Sequence, residues 1–470
     1  MSGSSSEPVR LGTPTGRAVV TAAVLGSGMT LLDGTVVNVA LKTIGEDLDA
    51  SLQQLQWITN GYLLSLASLI LLGGSLGDRF GRRRVFVIGT VWFAAASLLC
   101  GIAPTPEVLI AARILQGIGA ALLTPGSLSM IQGAFAVEDR AKAIGSWTGL
   151  GGIAAALGPF VGGALVDYAS WRWIFLINLP LAVVTILIAQ RAVPETRDPH
   201  ASSHFDWAGA VLATAALGAT TYALIEWGGG VAPYAVAVAL LAGVGFVVAE
   251  KREDEPMLEL GIFADRTFSA ANAMTLVVYA ALGAALFFVI LQLQIVGGYG
   301  ALAAGMATLP LTVCMLLLAA RGGELGTRIG PRIPMTVGPL VMGVGTLLLL
   351  RIDADVSYWV DVFPGITVFG LGLALLVAPL TATVLAAAPD EHAGIASGVS
   401  NAVARAGSLL AVAALPLAVG LTGEEYADPV ALDAGYRGAM VACAALLAIG
   451  GLLSWFTIRN QVLAAGAQPR

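Results

Sequence analysis

The chain has 470 residues, of which 57% are hydrophobic and only 11% charged. Soluble domains carry about 25% charged residues, so a soluble multidomain protein is excluded and the bilayer is the solvent. The net charge of −6 comes from acids spread thinly over loops and implies no nucleic-acid partner.

Residues 1–17 form a polar tail that opens MSGSSSEPVRLGTPTG. The apolar run behind it is too long for a signal peptide and lacks a small-residue cleavage site, so it reads as an uncleaved first span. Windows of about 20 apolar residues, enough to cross roughly 30 Å of hydrocarbon, then recur along the chain. Fourteen spans are predicted, starting near residues 18, 52, 84, 107, 140, 171, 206, 232, 268, 303, 334, 358, 392 and 437. Of the 24 Lys and Arg residues, four (Lys42, Arg172, Arg351, Arg437) fall in odd-numbered loops and two (Arg113, Arg405) within spans. The rest lie in the termini and the even-numbered loops, which puts both termini in the cytoplasm.

Residues 74–84 read GSLGDRFGRRR between spans 2 and 3, and residues 323–333 read GELGTRIGPRI between spans 10 and 11. Gly74, Gly77 and Gly81 recur as Gly323, Gly326 and Gly330, and Arg79 as Arg328. GIGAALLTP at 117–125 in span 4 is echoed by GLGLALLVAP at 370–379 in span 12. Both echoes are displaced by eight spans. The predicted organisation is therefore six plus two plus six: an N-terminal lobe over 18–190, two inserted spans with their flanking cytoplasmic loops over 191–267, a C-terminal lobe over 268–458 and a tail over 459–470. Parallel repeats of this kind build two-lobed transporters with a site at the lobe interface.

The 74–84 loop resembles the signature loop of the major facilitator superfamily. That resemblance implies an all-α polytopic membrane protein with the major facilitator fold, and a cytoplasmic latch between lobes made by Gly74, Gly77, Asp78, Arg79, Gly81, Arg82 and Arg83, with Arg84 completing the basic run. Thr327 stands in the second copy where the first has Asp78, so the resemblance does not extend a symmetrical latch to the C-terminal lobe.

Three further stretches narrow the resemblance to fourteen-span drug:proton antiporters: LLDGTVVNVAL at 31–41, RILQGIGAALLTP at 113–125 and GGIAAALGPFVGG at 151–163. The match continues through WRWIFLINLP at 171–180, LIEWG at 224–228 and IFADRTFSAAN at 262–272. It implies export of small lipophilic compounds, such as drugs or antibiotics, across a bacterial inner membrane by alternating access. The proton gradient would supply the energy, with no cofactor.

Asp33 is the principal candidate, because an acid at the centre of a span costs about 2.5–3.5 kcal/mol on insertion scales and is a functional candidate by default. Helix rise puts it roughly 22 Å from the cytoplasmic edge, and puts Arg113 roughly 9 Å from the outer edge, so the two share a depth in a core of about 30 Å. Asp33 would carry the coupling proton. A nearby cation favours the carboxylate and desolvation favours the acid, so Arg113 would set the balance between the two forms. A static structural pair is the competing reading.

In span 5, Gly152, Gly158, Pro159, Gly162 and Gly163 read as a bent, tightly packed contact between lobes, or more plainly as a kink with small-residue packing. Glu226 and Arg405 are the remaining intramembrane charges, the first near the outer end of inserted span 7 and the second deep in span 13. Asn38, Tyr62, Gln116, Asn178, Tyr279, Gln292, Gln294 and Asn401 could line a substrate cavity or glue helices together, with Trp57, Phe287 and Phe288 as aromatic walls.

Uptake by symport, or facilitated diffusion, is the alternative on the same scaffold, and the span 5 motif argues against it. A membrane enzyme would need a metal cluster, an activated nucleophile or paired acids. Cys100, Cys314 and Cys443 are scattered through apolar runs, and His200 and His204 stand four apart in a polar loop, so neither set forms a metal or disulfide motif. No loop is long enough for a signalling domain, and there is no GxxxxGK[ST] loop for an ATP-driven pump. With so few embedded acids, the substrate reading leans to neutral, monovalent or weakly acidic compounds.

Overall fold

The first helix begins where Thr13 accepts the backbone N–H of Gly16 and Pro14 fills the first turn, a position at which proline forfeits no helical hydrogen bond. In the computed structural model, residues 9–197, 206–253, 256–388, 393–421 and 425–460 are described; His200 and His204 lie outside them. Among the described residues fourteen helices are long and apolar enough to cross a membrane. Spans 1 to 6 are Pro14–Leu48, Leu52–Phe80, Arg82–Gly101, Pro106–Ala134, Glu138–Tyr168 and Trp173–Ala192. Spans 7 and 8 are Trp207–Ile225 and Ala232–Arg252. Spans 9 to 14 are Arg266–Ile295, Ala301–Ile329, Arg332–Arg351, Tyr358–Ala386, Ile395–Ala418 and Pro429–Thr457.

The expected starts agree to within a few residues except for span 14. That helix begins at Pro429, eight residues before the expected 437, capped by Asp428 accepting the N–H of Val430. Arg437, expected in a loop, stands one turn beyond Asp433 and pairs with it at 2.9 Å, so the helix carries both at its end.

Spans 1–6 pack on one another, as do spans 9–14, while spans 7 and 8 pair together. Span 7 also packs on spans 2 and 13, which places it along the seam between the lobes. There the Trp57 indole N–H donates to Glu226 at 3.2 Å.

The sequence repeat is also a repeat of contacts. Gly81 and Gly330 both have positive φ, 111° and 85°, and each turns the chain from one span into the next. Two residues on, the N–H of Arg83 donates to Glu195 and that of Arg332 to Asn460, each acceptor lying just beyond the last span of its lobe. Close helix approach repeats as well: Gly73 lies against the Ala121 carbonyl and Gly322 against that of Ala374. Only hydrogen at Cα allows backbones this near.

On the side opposite the termini, hydrogen bonds cross the seam. Lys42 donates to the Gln294 carbonyl at 3.0 Å, and Gln294 returns a bond to the Val39 carbonyl at 2.8 Å. Gln56 donates to the Val412 carbonyl at 2.7 Å, and the Tyr426 hydroxyl to that of Ala50 at 2.8 Å. Asp167 on span 5 accepts the N–H groups of Ala301 and Leu302 and so caps span 10 across the seam. The protein is closed on this side.

Candidate functional site

Five spans of the N-terminal lobe converge on Asp33. It is 1% exposed, as is Arg113, and the hydrogen-bond partners of both come from the N-terminal lobe. Arg113 Nη1 donates to Asp33 Oδ2 at 2.5 Å and to Gln116 Oε1 at 2.6 Å. Gln116 stands one turn from Arg113 on span 4, so helix geometry presents both to the same acid. Its Nε2 donates to Asp33 Oδ1 and to Ser97 Oγ, both at 2.8 Å. Asn178, at the start of the last helix of the lobe, donates to the same two atoms at 3.5 and 3.4 Å. Arg113 Nε donates to the Ile58 carbonyl, and the guanidinium lies 4.3 Å from the Tyr62 ring centroid and 5.7 Å from that of Phe175.

A buried ion pair of this kind survives because nearly every polar atom has a partner. The exception is Asn178 Oδ1, which is buried with no partner among the described residues. The arrangement is a single acid held by one cation and two amides, in contact with spans 1, 2, 3, 4 and 6. Loss of its charge would weaken bonds to three side chains at once.

The glycine motif divides by neighbour. A Cβ at Gly158 would strike Thr35, and one at Gly162 would strike Val36, so these two residues seat span 5 on span 1. Gly163 lies against Leu302, and Gly305 against the Pro159 carbonyl, both across the seam. Gly152 has open space around it and takes no part in the packing.

Two ion pairs of the signature loop stay inside one lobe: Asp78 with Arg82 at 2.7 Å, and Arg83 with Glu195 at 3.6 Å. Arg79 stacks on Phe80. The pairs of Asp78 and Arg83 therefore join span 2 to span 3 and to the segment after span 6, not lobe to lobe.

The expected cavity residues scatter. Tyr62, Gln116 and Asn178 belong to the Asp33 cluster. Gln292 bonds Asp433 and the Ile352 carbonyl within the C-terminal lobe, Gln294 belongs to the closed side, and Glu226 ends span 7 outside the cluster. Phe287 and Phe288 are buried, their rings edge to face at 5.5 Å. Asn38 stays half-buried on span 1 with its Oδ1 unpartnered among the described residues. Tyr279 and Asn401 line a polar hollow of about 80 Å³ with Thr275, Thr381, Ser397 and Ser400. Arg405 is half-buried on the same helix as Asn401. A larger hollow of about 580 Å³, with apolar walls that include Met306, Pro310 and Val313, opens on the flank between spans 10 and 12, away from any of these charges.

Residues 23–412 match the Major Facilitator Superfamily. The chain belongs to that superfamily. It is 35% identical to the methylenomycin A resistance protein of Bacillus subtilis, over 94% of this chain and 94% of that one. It is also 35% identical to the tetracenomycin C resistance and export protein of Streptomyces glaucescens, over 84% of this chain and 74% of that one. The crystal structure of a D-xylose-proton symporter superposes with a TM-score of 0.67 at 14% identity, covering 94% of this chain and 98% of the other, which is a likeness of fold. The protein is a multi-pass membrane transporter and not an enzyme.

Within that superfamily fold, sequence reasoning missed Ser97 and Cys100, which reach the cluster from span 3; the Cys100 thiol contacts Gln116 Oε1 at 3.6 Å. Ser97 is a polar residue inside an apolar run, a weak signal that only the depth shared with Asp33 makes meaningful. Lys42, read in sequence as a loop charge, ties the lobes together, as does Asp167.

Proposed function

We propose that this protein exports small lipophilic organic compounds across the bacterial inner membrane in exchange for protons, with both termini in the cytoplasm. Resistance and export relatives at about one-third identity support efflux. The bias of Lys and Arg towards the terminal side supports the orientation, which makes the closed side the outer one.

The observation that carries the coupling is the position of Asp33 on span 1. Val39 and Lys42, which bond Gln294 across the outer seam, lie about two turns further along the same helix. Protonation of Asp33 would weaken its bonds to Arg113 and Gln116, free span 1 from span 4 and shift the register of the outer seal. Release of the proton would restore the pair. Substrate movement would be tied to that cycle by alternating access of the cavity between the lobes.

The test is dye efflux from proteoliposomes under an imposed pH gradient, comparing the unaltered chain with Asp33→Asn and Arg113→Ala. Gradient-driven efflux that both substitutions abolish is the expected result. Efflux indifferent to the gradient would overturn proton exchange in favour of a facilitator.

A further inference from the structure

Arg405 is the intramembrane cation that the Asp33 cluster leaves out. It stands twelve residues beyond Ala393, or roughly 18 Å of helix rise, and so lies near mid-membrane. Among the described residues it has no hydrogen-bond or ion-pair partner. Arg113, at comparable depth, is fully engaged by Asp33, Gln116 and Ile58.

Helical spacing settles which way Arg405 looks. Gly398 on the same helix meets Leu71 of span 2, and Ala402 packs on the apolar cluster of the N-terminal lobe. Gly407 lies against the backbone of span 9, on the other face. Arg405 is seven residues beyond Gly398 and three beyond Ala402, so it shares the face turned to the opposite lobe. Tyr62 and Tyr279 lie within electrostatic reach of it from the two lobes. One turn towards the termini, Asn401 opens onto the polar hollow that Tyr279 also lines.

Among the described residues, Arg405 thus brings an uncompensated positive charge to the space between the lobes, while Asp33 is already neutralised. An unpaired intramembrane arginine calls for a partner, and here that partner must come from outside the described protein. We propose that Arg405 is the anion-binding group of the transport cavity. It selects lipophilic compounds bearing a single acidic group, a carboxylate, phenolate or sulfonate, over neutral and cationic analogues. The forked guanidinium suits such oxyanions, and the neutral hydroxyl and amide groups beside it can complete their hydrogen bonding. The proposal rests on the transport reading only in treating this space as the cavity.

The probes are 8-anilinonaphthalene-1-sulfonate and N-phenyl-1-naphthylamine, which share a ring system and differ in the sulfonate. Their fluorescence is titrated with the full chain in lipid nanodiscs, empty discs being subtracted. Arg405→Gln is expected to lower the preference for the sulfonate over the neutral dye about tenfold, the scale of one hydrogen-bonded charge contact, and Arg405→Lys to retain part of it. A preference unmoved by Arg405→Gln, or lost equally in the lysine variant, overturns the proposal. Export is read separately in proteoliposomes of the same preparations. If the unaltered chain moves neither dye under a gradient but keeps an Arg405-dependent sulfonate preference, proton-driven export fails and the anion subsite stands.

Discussion

Asp167 on span 5 accepts the backbone N–H of Leu302 at 2.8 Å, capping a helix that belongs to the other lobe. The same carboxylate takes the N–H of Ala301 at 3.0 Å, and both bonds exist only while the lobes meet on this side. An acceptor at a helix N-terminus contributes about 0.5–2 kcal/mol, enough to shift a two-state equilibrium several-fold. Asp167→Ala should therefore populate a state open on this side, with Asp167→Asn intermediate. Spin labels at the exposed positions Tyr168 and Val430 would report it as a longer distance component. An unchanged distance distribution would show that Asp167 does not hold the lobes together.

Asp33 and Arg113 should behave as a coupled pair in unfolding. Removing one partner of a buried pair typically costs about 3–5 kcal/mol, because the other charge is stranded. Asp33→Asn should fall at the low end, since Gln116 and the Ile58 carbonyl still accept from Arg113 and the Tyr62 ring still covers it. Arg113→Ala leaves the carboxylate only the Gln116 and Asn178 amides and should cost more. The double variant should lose less than the sum of the singles when thermal unfolding is followed in detergent. Strict additivity would mean that the two charges do not depend on each other.

Span number, the six-two-six order and the Asp33–Arg113 pair were all legible, because each follows from apolar length, a spaced repeat or a shared depth. What sequence could not show was side-chain direction. Gln292 and Gln294 stand two residues apart on one helix and seemed equivalent; the first stays in its lobe and the second crosses the seam. Helix azimuth separates them, and in spans with little amphipathic contrast azimuth is set by packing against neighbours. The signature loop was recognisable by its glycines, yet which partners its charges choose depends on how the lobes are disposed.

The glycine motif of span 5 makes a prediction that separates its members. Gly152 meets nothing within 4 Å, so Gly152→Ala should leave transport intact and gain slightly in helix stability. At Gly163 a Cβ would overlap the backbone of Leu302 across the seam, so Gly163→Ala should disfavour the closed state. Labelling of an introduced cysteine at Leu302 by a membrane-impermeant maleimide should rise in that variant alone. Equal labelling in both variants would reduce the motif to ordinary small-residue packing.

Gly81 and Gly330 should be the costliest glycines of the two repeated loops. Their φ angles, 111° and 85°, are ones that L side chains rarely adopt, and such strain costs about 1–3 kcal/mol. A Cβ would also meet the Glu195 carboxylate at 2.6 Å in the first loop and the Asn460 side chain at 2.5 Å in the second. The losses should not be equal. Glu195 binds both the N–H and the guanidinium of Arg83, so displacing it severs two ties. Asn460 accepts the Arg332 N–H, and Pro331 takes the place that Arg82 fills in the first loop, so the Asp78–Arg82 pair has no counterpart. Gly81→Ala is therefore expected to lower the unfolding temperature more than Gly330→Ala. The reverse order would place the stabilising weight of the repeat in the C-terminal lobe.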